Sequence, residues 1–489
     1  MFNSPYKYFF IAGLVIFLFT AWFSDGYYQA DVHFQVLEFC NYKLGLSPGF
    51  DLSWEFNAHI RSAFQPALAW AVIKFLIFNH IRSPFTWILC LRMITAILAW
   101  FVFSKSILLL QKEFTTEAGR KIFIGLCFFL WFVPFISVHY SSENLSGLTF
   151  IGALYLIIQR YNDPEKLKIS PLIFSGFLLG FSFLFRFQMG FAILGLGLWL
   201  IFIKKIKFTD LLVLVATGTL AILISVCIDY WFYGQWVFTP FNYFYSNIIE
   251  HNAVYWGTFP WWHYFKFFIL QAAPPISIFL LIFFFTGLYK KSIHAYTWCM
   301  IPFLLAQFIV GHKEIRFMFP MVFCFLFISA TGIDEFIRSG RYKKAGRIAL
   351  MICLAMNIPL LLFAMVRPAQ ESIRYYKYLY HLASENEITL LSNQKNAYDL
   401  LNLKANFYKS KNITCVTLRD SLGFSEYFSA FHPDSVYVLE REAADDFIIP
   451  GYAKENMYCL FPKWVLRNNT GNWQDRTRIW RIKKLKKMK

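Results

Sequence analysis

The sequence predicts a polytopic α-helical membrane protein that carries a small C-terminal soluble α/β domain. Three observations lead there. Of 489 residues 57% are hydrophobic and only 16% charged, the apolar residues gather in long runs, and the composition turns polar after about residue 367. A soluble chain of this size has no core that hides so much apolar surface. The net charge of +18 sits largely in short loops and in the tail 478–489. That distribution suits anionic lipid head groups or phosphates and lacks the continuous basic stripe that nucleic acid requires.

Taken in order, the run 8–23 lacks a small-residue cleavage site and reads as the first span. Further runs at 85–110, 122–139, 146–158, 170–184, 189–203, 211–231, 265–288, 297–310, 317–333 and 348–366 bring the expectation to about eleven spans. Several fall short of the roughly 20 residues a straight span needs, so tilted or broken helices are expected. The run 66–79 reads as a helix in or on the outer leaflet. With that assignment, loops 111–121, 159–168, 204–210, 289–296 and 334–347 lie on one face with sixteen Lys and Arg, against seven on the longer opposite face. The bias of cations toward the cytoplasm then places the N-terminus inside.

Two domains are expected: residues 1–366, with a large first outer loop 24–84, and residues 367–489. An odd number of spans puts the second domain outside, although its basic end 483–489 would suit a cytoplasmic surface. Within it, 388–391, 413–418 and 436–439 read as strands and 396–408 as a helix. Cys40, Cys90, Cys127, Cys227, Cys299, Cys324 and Cys353 fall in apolar surroundings and read as packing residues, whereas Cys415 and Cys459 leave a disulfide open. The sequence shows no internal repeat.

The chain is organised around His312-Lys313-Glu314-Ile315-Arg316-Phe317, which sets cations, an acid and an imidazole between two apolar runs. Charge at a membrane boundary is costly and marks function. If Phe317 opens a helix, His312 and Arg316 stand four apart and Lys313 and Arg316 three apart, so the cations converge on one anion. A loop of snorkelling cations is the plain alternative, but this loop lies on the cation-poor face. The same face holds Asp25, Asp31, His33, Gln35, Glu38, Asp51, Glu55, His59 and Arg61 in the first loop. It also holds Ser141-Ser142-Glu143-Asn144 and an aromatic loop over 232–264. Helix caps and an interfacial aromatic belt would explain each cluster singly. Together, aromatic faces for a sugar ring, cations for a departing phosphate and a carboxylate for a proton suggest glycosyl transfer from a lipid-phosphate sugar. A transporter or flippase of lipid-linked sugars is the alternative; it should show mid-span charge and repeat symmetry. A noncatalytic scaffold would leave the convergence of polar clusters unexplained.

The hexamer matches the HKE-x-RF signature of the membrane mannosyltransferases of glycosyltransferase family 22, and the chain resembles that family over roughly residues 8–335. Ala30-Asp31-Val32-His33-Phe34-Gln35-Val36-Leu37-Glu38 is similar to its first-loop pattern P-D-E-x-x-Q-x-x-E. Trp54-Glu55-Phe56 with Ile60-Arg61-Ser62 resembles its W-E-[WF] and [IL]-R-S stretch. Tyr233-Gly234, Pro240-Phe241-Asn242 and the run from Tyr255-Trp256-Gly257 to Pro260-Trp261-Trp262-His263-Tyr264 resemble its aromatic loop. The resemblance implies the GT-C fold, no metal or other cofactor, and an inverting transfer of mannose from a polyprenyl-phosphate donor to a lipid-linked glycan or glycolipid; another sugar of the same fold class is the variant reading.

By the same resemblance Asp31 is the catalytic base, and His312, Lys313 and Arg316 bind the donor phosphate. His33, Gln35, Glu38, Glu55, Arg61, Glu143, Asn144, Arg186, Gln188, Asn242, Tyr255, Trp261, Trp262 and Glu314 would contact substrate. The chain departs from the pattern at Val32, where the family has a second acid, and Glu38 or Glu55 is expected to compensate. Membrane lipids are the remaining expected partner. The expected location is a bacterial inner membrane with the site facing the periplasm, or the endoplasmic reticulum membrane with a lumenal site.

Overall fold

The computed structural model describes residues 5–162, 168–340, 344–370, 372–393, 396–400, 403–417, 435–440, 449, 451–459, 461–476 and 479–488. Lys166, Arg341 and Lys343, counted above among the loop cations, and Arg478 and Lys489 of the basic end lie outside the described residues. The chain divides into two compact units, one of residues 1–24, 54–72 and 89–367, the other of 25–53, 73–88 and 368–489.

The first unit is helical, and every apolar run assigned to it falls on a helix or a broken pair of helices. Among the described residues four helices are long and apolar enough to cross a membrane: Pro84–Glu113, Phe208–Tyr233, Ile315–Arg338 and Gly346–Val366. Counting each bent pair as one span raises that number to six. The expected eleven is not reached by length and composition, because the remaining apolar segments are short or broken. Lys7–Phe23, Phe64–Phe78, Ser170–Phe185 and Met189–Lys204 are too short to qualify, Glu117–Phe129 and Phe132–Val138 meet at 52°, and Ile276–Lys290 turns through 119° into Ala295–Ile309. Only 17% and 11% of the apolar windows of Phe208–Tyr233 and Gly346–Val366 are buried within the protein, which leaves those faces to lipid.

Small residues bring the helices of this unit together. A Cβ on Gly180 would lie 2.6 Å from the Ala221 Cβ, so helix Ser170–Phe185 meets Phe208–Tyr233 at close range. One on Gly147 would lie 2.6 Å from the Pro320 carbonyl oxygen. Only glycine therefore lets helix Ser142–Asn162 rest on the 3-10 turn Ile315–Met321, and that approach sets the geometry of the charged site below.

The second unit contains a five-stranded mixed sheet, built from β1 (Ile388–Ser392), β4 (Ile413–Thr417), β5 (Val436–Glu440), β6 (Tyr452–Cys459) and β7 (Arg481–Lys487). Its order is β4-β1-β5-β7-β6. The first three strands run parallel and β7 runs antiparallel to both of its neighbours. Strands β1 and β5 are buried along their whole length, as expected for central parallel strands. Helix Ser372–Leu382 buries Ile373, Tyr375, Tyr376 and Leu379, a single face at helical spacing.

The three strands expected in this region are present, but 396–408 is not a helix. Its described residues form two short strands, β2 (Asp399–Leu400) paired antiparallel with β3 (Leu403–Lys404), and a 3-10 turn at Asn406–Tyr408; residues 401 and 402 lie outside the described residues. Asn residues compete with helical hydrogen bonds, and the Asn396 side chain accepts the Tyr398 N–H at 3.0 Å. The basic end is strand β7 over Arg481–Lys487, where Lys483 pairs with Glu440 at 2.6 Å and Lys486 with Glu455 at 2.7 Å. All nine cysteines are free; Cys415 and Cys459 lie on β4 and β6, the two opposite edges of the sheet, which rules out the disulfide left open above.

Candidate active site

The hexamer His312–Phe317 does not open an α-helix. Glu314 has extended backbone, Ile315–Met321 is a 3-10 turn with Pro320 inside it, and the α-helix begins at Val322. The cations consequently split into two groups. Glu314 collects one of them. Its carboxylate accepts Arg316 Nε and Nη2, each at 2.7 Å, in a bidentate pair, and lies 3.1 Å from His312 Nε2. The other ring nitrogen of His312 faces the Gly257 carbonyl at 3.1 Å. Both imidazole nitrogens thus point at acceptors, an arrangement that only the doubly protonated ring satisfies.

Lys313 goes the other way. Its Nζ donates to the carbonyls of Gln307 (3.2 Å), Phe308 (3.1 Å) and Val310, closing the C-terminal end of helix Ala295–Ile309. It also lies over the Tyr264 ring at 5.4 Å. Lys313, expected beside His312 and Arg316, is therefore spent on a helix end, since an extended residue reverses the direction of its neighbour's side chain.

Two more charged groups complete the cluster. Glu143, at the start of helix Ser142–Asn162, has Oε1 3.0 Å from Arg186 Nη2 and 3.8 Å from Arg316 Nη1. Both guanidinium groups flank the ring of Phe317, at 5.0 and 5.4 Å. Glu143, Arg186 and Arg316 are all buried, and Arg186 Nε has no hydrogen-bond partner among the described residues. With protonated His312 the five groups sum to one net positive charge, and His312 and Glu314 form its half-buried edge. A buried guanidinium N–H without a partner is costly, and an anionic oxygen would satisfy it.

The other expected residues of this unit take varied places. Asn144 donates to the carbonyls of Ser137 and His139, at 2.7 and 3.0 Å, and so holds the turn before its helix. Gln188 Nε2 lies 3.4 Å from the Tyr243 hydroxyl, Arg61 sits 5.6 Å over the Tyr243 ring, and Asn242 donates to the His59 carbonyl at 3.2 Å. Glu55 is half-buried in the short helix Trp54–Asn57. Tyr255, Trp261 and Trp262 are exposed. The aromatic loop is tied to the charged hexamer by the Phe259 N–H, which donates to the Gly311 carbonyl at 2.9 Å.

Sequence reasoning missed Asp229, a buried acid near the end of helix Phe208–Tyr233. It accepts the Ala63 N–H at 2.6 Å and the Thr239 hydroxyl at 3.2 Å, while Tyr233 OH donates to the Arg61 carbonyl at 2.6 Å. One helix end thereby holds both the Arg61-Ser62 stretch and the start of the aromatic loop. An acid inside the apolar run 211–231 was the signal that could have found it.

In the second unit Asp31 is the half-buried first-turn acid of the short helix Ala30–Val32. His33, Gln35 and Glu38 are buried, His33 and Gln35 in the π-helical turn His33–Leu37 and Glu38 at the start of helix Glu38–Lys43.

Two outcomes follow from this geometry. Replacing Asp229 by Ala strands the buried Ala63 N–H at a cost of about 1–3 kcal/mol, so its melting temperature falls below wild type; an unchanged value would remove the clamp from the account. His312 is raised above its ordinary value of 6.5, first by the hydrogen bond to Glu314 and then, against the pull of burial, by Gly257. Burial pushes Glu314 up, but the His312 and Arg316 hydrogen bonds outweigh it and leave the carboxyl at about 2. The stability His312 contributes is therefore complete below its unfolded value and lost as pH rises through its raised folded value. The melting-temperature gap between wild type and His312→Gln is larger at about pH 6 than at about pH 9; a gap that grows with pH would contradict the pairing.

Comparison with known proteins bears on both units. The Alg9-like mannosyltransferase family matches residues 8–403. GPI mannosyltransferase 3 of Gibberella zeae is 24% identical over 382 residues, covering 69% of this chain and 61% of the relative. The probable Dol-P-Man:Man(7)GlcNAc(2)-PP-Dol alpha-1,6-mannosyltransferase of Schizosaccharomyces pombe is 25% identical over 293 residues, covering 59% and 50%. The chain thus spans between half and two thirds of the length of these relatives. Among solved structures, ArnT from Cupriavidus metallidurans bound to undecaprenyl phosphate superposes with a TM-score of 0.54 at 9% identity, over 98% of each chain. That likeness shows a fold of GT-C type, and the chain is a member of the Alg9-like mannosyltransferase family.

Proposed function

We propose that this chain is a multi-pass membrane mannosyltransferase that moves mannose from a polyprenyl-phosphate donor to a lipid-linked glycan or glycolipid. The observation that carries the reading is the net-positive cluster of buried Arg316, Glu143 and Arg186 with half-buried His312 and Glu314, in a chain of this family. Its relatives' names specify GPI and dolichol-linked mannosyl transfer, and the fold neighbour was crystallised with undecaprenyl phosphate.

The donor phosphate sits against Arg316, Arg186 and His312, with Lys313 holding the loop from behind. The phosphodiester of the donor carries one negative charge and the departing polyprenyl phosphate more, so a fixed positive cluster favours the transition state over the bound donor. The Asp31 carboxylate takes the proton of the acceptor hydroxyl. That oxygen bonds to the anomeric carbon from the face opposite the phosphate, and the carbon–oxygen bond to phosphate breaks with its electron pair on the leaving group. A β-linked donor therefore gives an α-mannoside. Gln188, Arg61, Asn242 and the exposed Tyr255, Trp261 and Trp262 line up sugar and acceptor by stacking and hydrogen bonding. The cation bias of the loops supports chemistry on the outer face, periplasm or endoplasmic reticulum lumen.

The test is transfer of radiolabelled mannose from synthetic polyprenyl-phosphate mannose to a membrane lipid extract. Asp31→Asn lowers the rate about 10²–10⁴-fold, and Arg316→Ala about 10²–10³-fold, both in proteins that purify like wild type. Full activity of Asp31→Asn would refute the base assignment, and no transfer by folded wild type would refute the donor.

A further inference from the structure

The proposed base belongs to a segment that cannot hold its shape alone. Ala30–Val32 is three helical residues, His33–Leu37 a five-residue π-helical turn and Glu38–Lys43 six more, far below the length at which a helix is stable in water. Something must fix it, and within the second unit the fixing groups are visible. The chain enters at Gly26, whose φ of +96° and lack of a Cβ let it pass Gln370 at a separation that a side chain would reduce to 2.7 Å. The Asp25 carbonyl beside it accepts the N–H groups of Ala369 and Gln370, at 2.8 and 3.1 Å.

Further along the segment, Glu38 is 2% exposed, and its Oε1 accepts the backbone N–H of Phe407 at 2.9 Å. The same oxygen lies 2.9 Å from His33 Nε2. His33 is fully buried between two parallel rings, Tyr27 at 4.8 Å and Tyr408 at 5.4 Å. Tyr408 in turn stacks on Tyr376, and Tyr376 on Tyr398. A second polar link runs from Asn406 Nδ2 to Asp51 Oδ2 at 2.7 Å. Three consecutive residues of the turn Asn406–Tyr408 thus grip the first outer segment by an amide, a backbone N–H and a ring.

We infer that Glu38 is a positioning residue: through His33 and the Asn406–Tyr408 turn it fixes the segment that carries Asp31. The Glu38 Oε1 is engaged by the Phe407 N–H, and the side chain is 2% exposed. A carboxylate accepting a backbone N–H inside the protein is a strong and directional tie. Loss of that tie lets Asp31 drift, and a displacement of 1 Å at a reacting group costs on the order of 10²-fold in rate.

The inference rests on Asp31 acting as the base, and one experiment on the full chain separates the two. Using synthetic polyprenyl-phosphate mannose and membrane lipid extract, kcat and donor KM are measured for Glu38→Ala, Glu38→Gln, Asn406→Ala and Asp31→Asn. Glu38→Ala lowers kcat about 30–100-fold with donor KM within about threefold of wild type. Glu38→Gln recovers most of that loss, since an amide oxygen still accepts the Phe407 N–H. Asn406→Ala lowers kcat about three- to tenfold at unchanged KM, because it loosens the same turn from the other side. Glu38→Gln as inactive as Glu38→Ala would mean the carboxylate itself acts on substrate, and Asn406→Ala with wild-type kcat would mean the turn positions nothing; either overturns the inference. If Glu38→Ala fails to fold, Glu38→Gln and Asn406→Ala decide the matter by the same criteria. An active Asp31→Asn would refute the base assignment and the inference with it, whereas an inactive Asp31→Asn beside a wild-type kcat in Glu38→Ala would overturn the inference alone.

Discussion

The bidentate pair between Glu314 and Arg316 is the interaction on which the site depends. Buried charge is tolerated only when it is paired and hydrogen-bonded, and removing one partner leaves the other stranded at several kcal/mol. Glu314 answers that demand twice, for Arg316 and for His312, and Glu143 does so again for Arg186 with a looser approach to Arg316. Two acids thereby immobilise three cations without cancelling them. The one charge left over is fixed in direction before any ligand arrives, which is how a preorganised site acts on developing charge.

The helices supply the distances. Glycine at 147 lets the helix that carries Glu143 approach the turn that carries Arg316. Lys313 closes the end of the helix before the hexamer, and the Phe259 N–H binds the aromatic loop to Gly311. Asp229 performs the same service for the Ala63 N–H and the loop start at Thr239, and Tyr233 on the same helix end holds the Arg61 carbonyl. Each of these polar ties satisfies backbone groups at a helix end, where regular hydrogen bonding runs out. In a membrane protein such ends lie near the boundary where the charged chemistry is proposed to occur.

Much of this was legible in the sequence, for physical reasons that also explain the failures. Apolar runs locate helices because burial in lipid needs no periodicity, but they do not say where a helix breaks, as between Phe129 and Phe132. The hexamer was visible because charges between apolar runs are conspicuous. Its helical spacing was not, because Pro320 and a 3-10 turn changed the direction of Lys313 relative to its neighbours. His33 and Glu38 stand out in the sequence by their polarity and by the first-loop pattern, but their burial does not; the fold shows both enclosed, one by tyrosine rings and one bound by a backbone N–H. Asp229 was lost in an apolar run by the opposite error. At 396–408, read as a helix, the asparagines favoured turns.

The central claim is that the buried cluster is a phosphate site, and the most direct measurement is binding of a polyprenyl phosphate against the matching uncharged polyprenol. Wild type is predicted to bind the phosphate at least about 10²-fold more tightly, a difference of about 2.7 kcal/mol. Arg186→Ala is predicted to shrink that preference while leaving polyprenol binding unchanged. Equal affinity for phosphate and alcohol, or a preference that survives the loss of Arg186 intact, would contradict the account.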